Sequence, residues 1–120
     1  MLMITPTEIT LHQKSRELEI AFDDDTRYRL PFEFLRVFSP SAEVRGHGPG
    51  QEVLQVGKQH VNVNELRPVG SYALKIIFDD GHDTGLYTWE YLQQLGSRQN
   101  ALWRDYQEKL TAAGASRDSK

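Results

Sequence analysis

The chain has no cysteine. Disulfides and thiolate metal sites are therefore excluded, whatever the redox compartment. It has no apolar run near the ~20 residues that a membrane helix needs. The opening Met1-Leu2-Met3-Ile4-Thr5-Pro6 lacks the basic segment and apolar stretch of a secretion signal. An excess of positive charge is also missing: the formal net charge is −3, so no global field draws in nucleic acid. These absences point to a cytoplasmic protein with no membrane and no nucleic-acid partner.

With 38% apolar and 26% charged residues among 120, the composition suits one soluble domain. A chain of that length buries roughly two thirds of its unfolded surface, enough for one real core. The richest stretch is Ile76-Ile77-Phe78-Asp79-Asp80-Gly81-His82-Asp83-Thr84-Gly85-Leu86-Tyr87-Thr88-Trp89-Glu90-Tyr91-Leu92. It reads as strand, tight turn, strand and helix start, because Asp-Gly between alternating residues signals a hairpin.

The periodicity elsewhere predicts an α+β fold. Glu8-Ile9-Thr10-Leu11 alternates, and Leu18, Ile20 and Phe22 share a face opposite Glu17 and Glu19. Asp23-Asp24-Asp25 reads as a hairpin turn rather than a metal cluster, since Asp tolerates turn geometry. Tyr28 and Leu30 make a third strand, and Pro31 opens a short helix over 32–37. Ser39-Pro40-Ser41 and the glycines between 46 and 50 predict a loop over 38–50, with no Lys-Ser or Lys-Thr pair to make it a phosphate loop.

Val61 and Val63 alternate as a short strand, and Leu66-Arg67-Pro68-Val69-Gly70 reads as a break. Tyr72, Leu74, Ile76 and Phe78 form the best strand, with a return over 83–87. Thr88 is a natural cap for a helix over 89–95, with Gly96 as its stop. Ser97 or Asn100 caps a last helix, on which Leu102, Trp103, Tyr106 and Leu110 recur at helical steps. The expected organisation is a lead-in over 1–6, one α+β domain over 7–96, a C-terminal helix over 97–112 and a disordered tail over 113–120. Its expected core is a small antiparallel sheet of five to six strands, built from two hairpins.

With these elements assembled, the chain resembles the gamma-butyrobetaine hydroxylase-like N-terminal domain, a small bacterial domain of unknown function. Pro6-Thr7-Glu8-Ile9, Leu35-Arg36 and the 76–92 segment carry the likeness. In the hydroxylase branch the resemblance implies a zinc module of three cysteines and one histidine. Its cysteines follow a Leu-Arg pair as Cys-Pro-Cys-x-x-Cys. Here those positions are Ser39, Ser41 and Val44, and the histidine matches His82. A thiolate is a soft, readily deprotonated zinc ligand; a serine hydroxyl keeps its proton and valine has no donor. The resemblance thus implies a degenerate metal site, with no metal and no cofactor expected.

Oxygenase chemistry finds no support. The usual His-x-Asp or His-x-Glu start of an iron triad is missing, since Lys14, Pro49, Asn62 and Thr84 stand two residues after the four histidines. His82 with Asp79, Asp80 and Asp83 forms a candidate acid–base cluster, whose plainer reading is a solvated turn. His82 with Ser39 or Ser41 forms a candidate Ser–His pair, with no nucleophile elbow around it. The expected function is an accessory, protein-interaction module without catalytic activity. A metal-binding accessory domain of an oxidoreductase system and a small hydrolase at the His82 turn are the alternatives. Trp103, Tyr106, Trp89 and His82 are the candidate contacts for an unidentified protein partner, because Trp and Tyr often anchor interfaces.

Overall fold

Alternating residues at the start of the chain fold into a three-stranded antiparallel sheet in a computed structural model, which describes residues 4–46 and 50–118. Strands β1 (Pro6–His12), β2 (Glu17–Phe22) and β3 (Arg27–Pro31) lie in that order. Leu18 pairs with Leu30 and Ile20 with Tyr28, which turns Leu18, Ile20 and Leu30 into the core. Asp24 closes the β2–β3 turn: its Oδ1 accepts from the Thr26 amide at 3.0 Å. Asp25 takes φ +68°, a left-handed value that Asp tolerates. The three aspartates therefore serve a turn.

Helix α1 (Phe32–Val37) begins where Pro31 ends β3, as the sequence predicts. The expected loop after it holds one helical turn, α2 (Ala42–Arg45). Between Pro40 and Gly46 the chain offers only Ala, Glu, Val and Arg after Ser41, whose Oγ accepts from the Glu43 amide at 3.2 Å. That is one capped turn of adequate helix formers, overlooked beneath the surrounding glycines and prolines. The loop's His47, Gly48 and Pro49 lie outside the described residues, as do Met1, Leu2 and Met3 of the lead-in and the last two residues of the tail.

Strands β4 (Val63–Val69), β5 (Ala73–Phe78) and β6 (Leu86–Thr88) make a second antiparallel sheet. The single sheet of five to six strands is thus corrected to two sheets of three. Periodicity identifies strands and their buried faces, but it does not say which edges pair. The expected break at 66–70 is also corrected, since β4 runs through Pro68, which pairs with Leu74. On an edge strand the missing proline N–H costs no ladder bond. The return strand is shorter and later than 83–87, because the residues after the turn leave the ladder to meet the segment after α1.

Thr88 caps α3 (Trp89–Ser97), its Oγ1 accepting from the Tyr91 amide at 3.2 Å. Gly96 does not stop this helix. It lets α3 lie on the Tyr28 ring, where a Cβ would come within 2.3 Å of Cγ. Helix α4 (Gln99–Ala113) follows at once, and its N-cap is Arg98, which makes no side-chain cap bond, in place of Ser97 or Asn100. Both sheets, α1 and α3 share one core, with Phe32, Leu35, Ile76, Tyr87 and Leu92 fully enclosed. Val37, Tyr106 and Leu110 form a smaller core under α4.

Residues 114–118 lie beside the 57–59 segment. Gly57 and Gln59 donate their amides to the carbonyls of Ser116 and Arg117, each at 3.1 Å. Arg117 pairs there with the buried carboxylate of Glu33 at 2.7 Å. Among the described residues no helix is long and apolar enough to cross a membrane.

Candidate functional site

The β5–β6 turn and the segment between α1 and α2 meet, and the meeting is polar. Asp80-Gly81-His82 turns on Gly81 at φ +88°, and Asp80 Oδ1 accepts from the His82 amide at 3.1 Å. This places the His82 side chain inward, only 4% exposed, against Phe78. His82 Nε2 lies 2.8 Å from Ser39 Oγ, and Ser39 is itself 1% exposed. The Ser41 amide donates to the same Ser39 oxygen at 3.3 Å. Ser41 Oγ and Thr84 Oγ1 are 2.6 Å apart, and Thr84 donates on to Glu43 Oε1 at 3.0 Å. The solvated turn expected from the sequence is therefore closed over at His82.

Residues far apart in the chain thus converge. Ser39, Ser41 and His82 join one network, and Val44 is buried beside them. The donor set does not fit a metal ion. It offers two protonated hydroxyls, a hydrocarbon and an imidazole nitrogen already engaged by Ser39. Among the described residues no three His, Asp or Glu side chains group as metal ligands do.

The same geometry outlines a Ser–His–carboxylate series, since His82 Nδ1 lies 3.4 Å from Glu43 Oε2. That contact has ion-pair range but not hydrogen-bond geometry, and Nδ1 is buried without a hydrogen-bond partner among the described residues. Nucleophilic attack needs an oxygen with an open face. Ser39 Oγ sits so close to Gly85 that a Cβ there would come within 2.5 Å of it. Ser39 Oγ is thus enclosed on the Gly85 side.

Charge around the turn is arranged by Asp80. Its Oδ2 accepts from Arg36 Nε at 2.8 Å and from Lys58 Nζ at 2.7 Å. Arg36 is 7% exposed and also donates to Gln55 Oε1 at 2.9 Å. Burial by itself would raise the Asp80 carboxyl. The bonds from Lys58, the His82 amide and Arg36 outweigh it and bring the pKa down to about 2. His82 is held below its ordinary 6.5, first by burial and then by the Arg36 charge, with Glu43 opposing. The imidazole is neutral near pH 7 as a result. Tyr87 is raised by burial, its hydroxyl donating to the Leu35 carbonyl at 2.6 Å.

Beside this cluster a cleft of about 330 Å³ opens between α1, α2, residues 52–55 and α4. Val37, Phe38, Val44, Val53 and Leu54 give it apolar walls, and Ser39 reaches it from the buried network. Tyr91 donates its hydroxyl to the Phe38 carbonyl, and the Arg45 guanidinium lies 4.9 Å from its ring centroid. Tyr106 donates to the Gln55 carbonyl at 2.7 Å, and burial pushes its hydroxyl up to about 12. Val53 and Val56 stand 53% and 47% exposed on the same segment.

Of the candidate contacts, Tyr106 is 2% exposed and lines the cleft from below. Trp89 is buried, its Nε1 donating to the Ser71 carbonyl at 2.8 Å. Trp103 is half-buried between Phe34 and Tyr106. Sequence reasoning missed Asp80 as a hub and missed the cleft. Residues 36, 58 and 80 carry no local pattern that pairs them.

Comparison with known proteins gives a consistent picture. A family model described as gamma-butyrobetaine hydroxylase-like, N-terminal, matches residues 9–93. Two solution NMR structures are similar over nearly the whole chain. One is 51% identical with a TM-score of 0.86, covering 99% of this chain and 94% of its own. The other is 52% identical with a TM-score of 0.83, covering 96% and 86%. A crystal structure of a protein with unknown function from Acidithiobacillus ferrooxidans, of the DUF971 family, is 42% identical. Its TM-score is 0.65, over 77% of this chain and 92% of that one. No curated protein matches.

Proposed function

The chain belongs to the gamma-butyrobetaine hydroxylase-like N-terminal family, and from that premise we propose that it is a cytoplasmic accessory module that binds another protein and catalyses nothing itself. The cleft is the observation that carries this reading. Its volume of about 330 Å³ falls at the lower end of the range for binding pockets, and its walls are mostly apolar. Exposed Val53 and Val56 extend the apolar surface beyond the mouth. Exposed valines continuous with an apolar cleft mark a contact surface more strongly than scattered ones. The partner that fits is an extended segment with one large apolar side chain to seat between Val37, Leu54 and Tyr91.

The His82 cluster serves this surface by fixing it. Ser39 and Val44 touch both the buried network and the cleft, so the hydrogen bonds that hold the turn also hold one wall. In relatives with sulfur ligands an ion would perform that task. Trp103 lies on the same helix as Tyr106, at the edge of the surface.

A Val53→Glu/Val56→Glu double variant tests the reading. Both positions are exposed, so stability should move by less than about 0.5 kcal/mol for each. Affinity capture with the wild type is expected to retain a defined protein that the double variant loses. Equal retention by both, or no partner for the wild type across several salt concentrations, contradicts the reading.

A further inference from the structure

The charges around the cleft are unevenly matched. Its charged lining is Arg45, Glu52, Asp105 and Lys109. Asp105 Oδ2 and Lys109 Nζ lie 3.2 Å apart, one turn from each other on α4, and satisfy each other. Glu52 Oε2 accepts from the Gly50 amide at 3.1 Å. Arg45 meets no carboxylate among the described residues. Its guanidinium lies instead over the Tyr91 ring, 4.9 Å from the centroid, a cation–π contact that keeps its planar donors in one place. Tyr91 is itself fixed, because its hydroxyl donates to the Phe38 carbonyl. The neighbouring Val44 is buried, and its carbonyl accepts from the Val53 amide at 2.8 Å. Arg45 is thus an exposed cation held on the rim of an apolar cleft.

We infer that the partner segment carries an acidic side chain beside its large apolar one, and that Arg45 selects for it. The inference rests on the cleft being the contact surface. Cα atoms two residues apart span at most about 7 Å. A carboxylate one or two residues from an anchor seated against Tyr91 therefore comes within reach of a guanidinium 4.9 Å from that ring. Guanidinium donates to a carboxylate through two parallel N–H bonds, and a neutral amide matches that fork less well. The chain's net charge of −3 works against acidic partners in general, so the selection is local to Arg45. Because Arg45 is exposed, the gain is modest, about three- to fivefold in affinity. A small organic acid would use the same apolar walls and the same cation, and the test separates it from a protein segment.

The test uses the full chain at low salt. The capped peptides Ser-Glu-Phe-Glu-Ser and Ser-Gln-Phe-Gln-Ser, and separately hexanoate, are titrated in while the Val53, Leu54 and Gln55 amides are followed by NMR. The acidic peptide is expected to bind about three- to fivefold more tightly than its amide counterpart. Arg45→Gln should erase that preference and leave the affinity for the amide peptide unchanged. Should Arg45→Gln fail to fold, Arg45→Met keeps an apolar stem over Tyr91 and takes its place with the same expectation. Equal binding of the two peptides by the wild type overturns the inference and leaves the cleft reading standing. A preference that survives the loss of Arg45 overturns it in the same way. Binding of neither peptide overturns the inference together with the cleft reading. Binding of hexanoate alone does the same, and makes the cleft a site for small acids.

Discussion

An Asp80→Ala chain is expected to lose about 3 kcal/mol of stability, measured as a lower urea midpoint with unchanged slope. The cost comes from what the substitution leaves behind. Arg36 is 7% exposed, and Asp80 is its carboxylate partner. Breaking a buried pair from one side strands a charge where water cannot reach it freely. The His82 amide also loses its acceptor, so the turn that aims the imidazole at Ser39 loosens. Asp80 remains partly open to solvent, which keeps the expected loss at the low end of the range for buried pairs. The mechanism has its own control. Arg36→Met/Asp80→Ala removes the stranded charge and is expected to be less destabilised than the two single changes summed. Strict additivity would show that the pair is not coupled as described.

Acid is expected to weaken the fold through two groups, His82 and Asp80. The folded pKa of His82 lies below its ordinary 6.5, so the unfolded chain takes up a proton that the folded chain resists. Stability from this group is full above about pH 6.5 and falls as pH drops through the folded value. Asp80 acts lower down. Its folded pKa of about 2 lies below the ordinary 3.8, so its contribution is present above about pH 3.8 and disappears as pH falls through about 2. Urea midpoints against pH should therefore decline first below about pH 6.5 and again below about pH 4. His82→Gln should flatten the first decline and leave the second. An unaltered slope just below about pH 6.5 in that variant would show that His82 is not buried neutral.

The sequence was legible wherever a local rule dominated. Alternation located β2 and β5, Pro31 and the 32–37 pattern located α1, and Thr88 located the start of α3. The Asp23-Asp24-Asp25 turn followed from what aspartate tolerates. Pairing between distant segments was not legible, since nothing in an alternating strand names its neighbour, and two sheets were read as one. Pro68 and Gly96 misled for one reason. A breaker is harmless on a sheet edge, and glycine is required where a helix meets an aromatic ring.

The site was half legible. The family likeness aligned Ser39, Ser41, Val44 and His82, and the fold brings them into one buried patch. It could not supply the Arg36–Asp80–Lys58 hub, the Glu43–Thr84–Ser41 chain or the Glu33–Arg117 pair. Each joins residues whose proximity exists only in three dimensions.

That hydroxyl and imidazole groups hold this patch together, in place of an ion, is most directly tested by heat. Purified protein is unfolded with a strong chelator, and again with zinc added in excess. The account predicts one midpoint under both conditions and no retained metal. A midpoint that falls on chelation, or rises with stoichiometric zinc, would show that a metal and not the Ser39–His82 network ties the turn to α1.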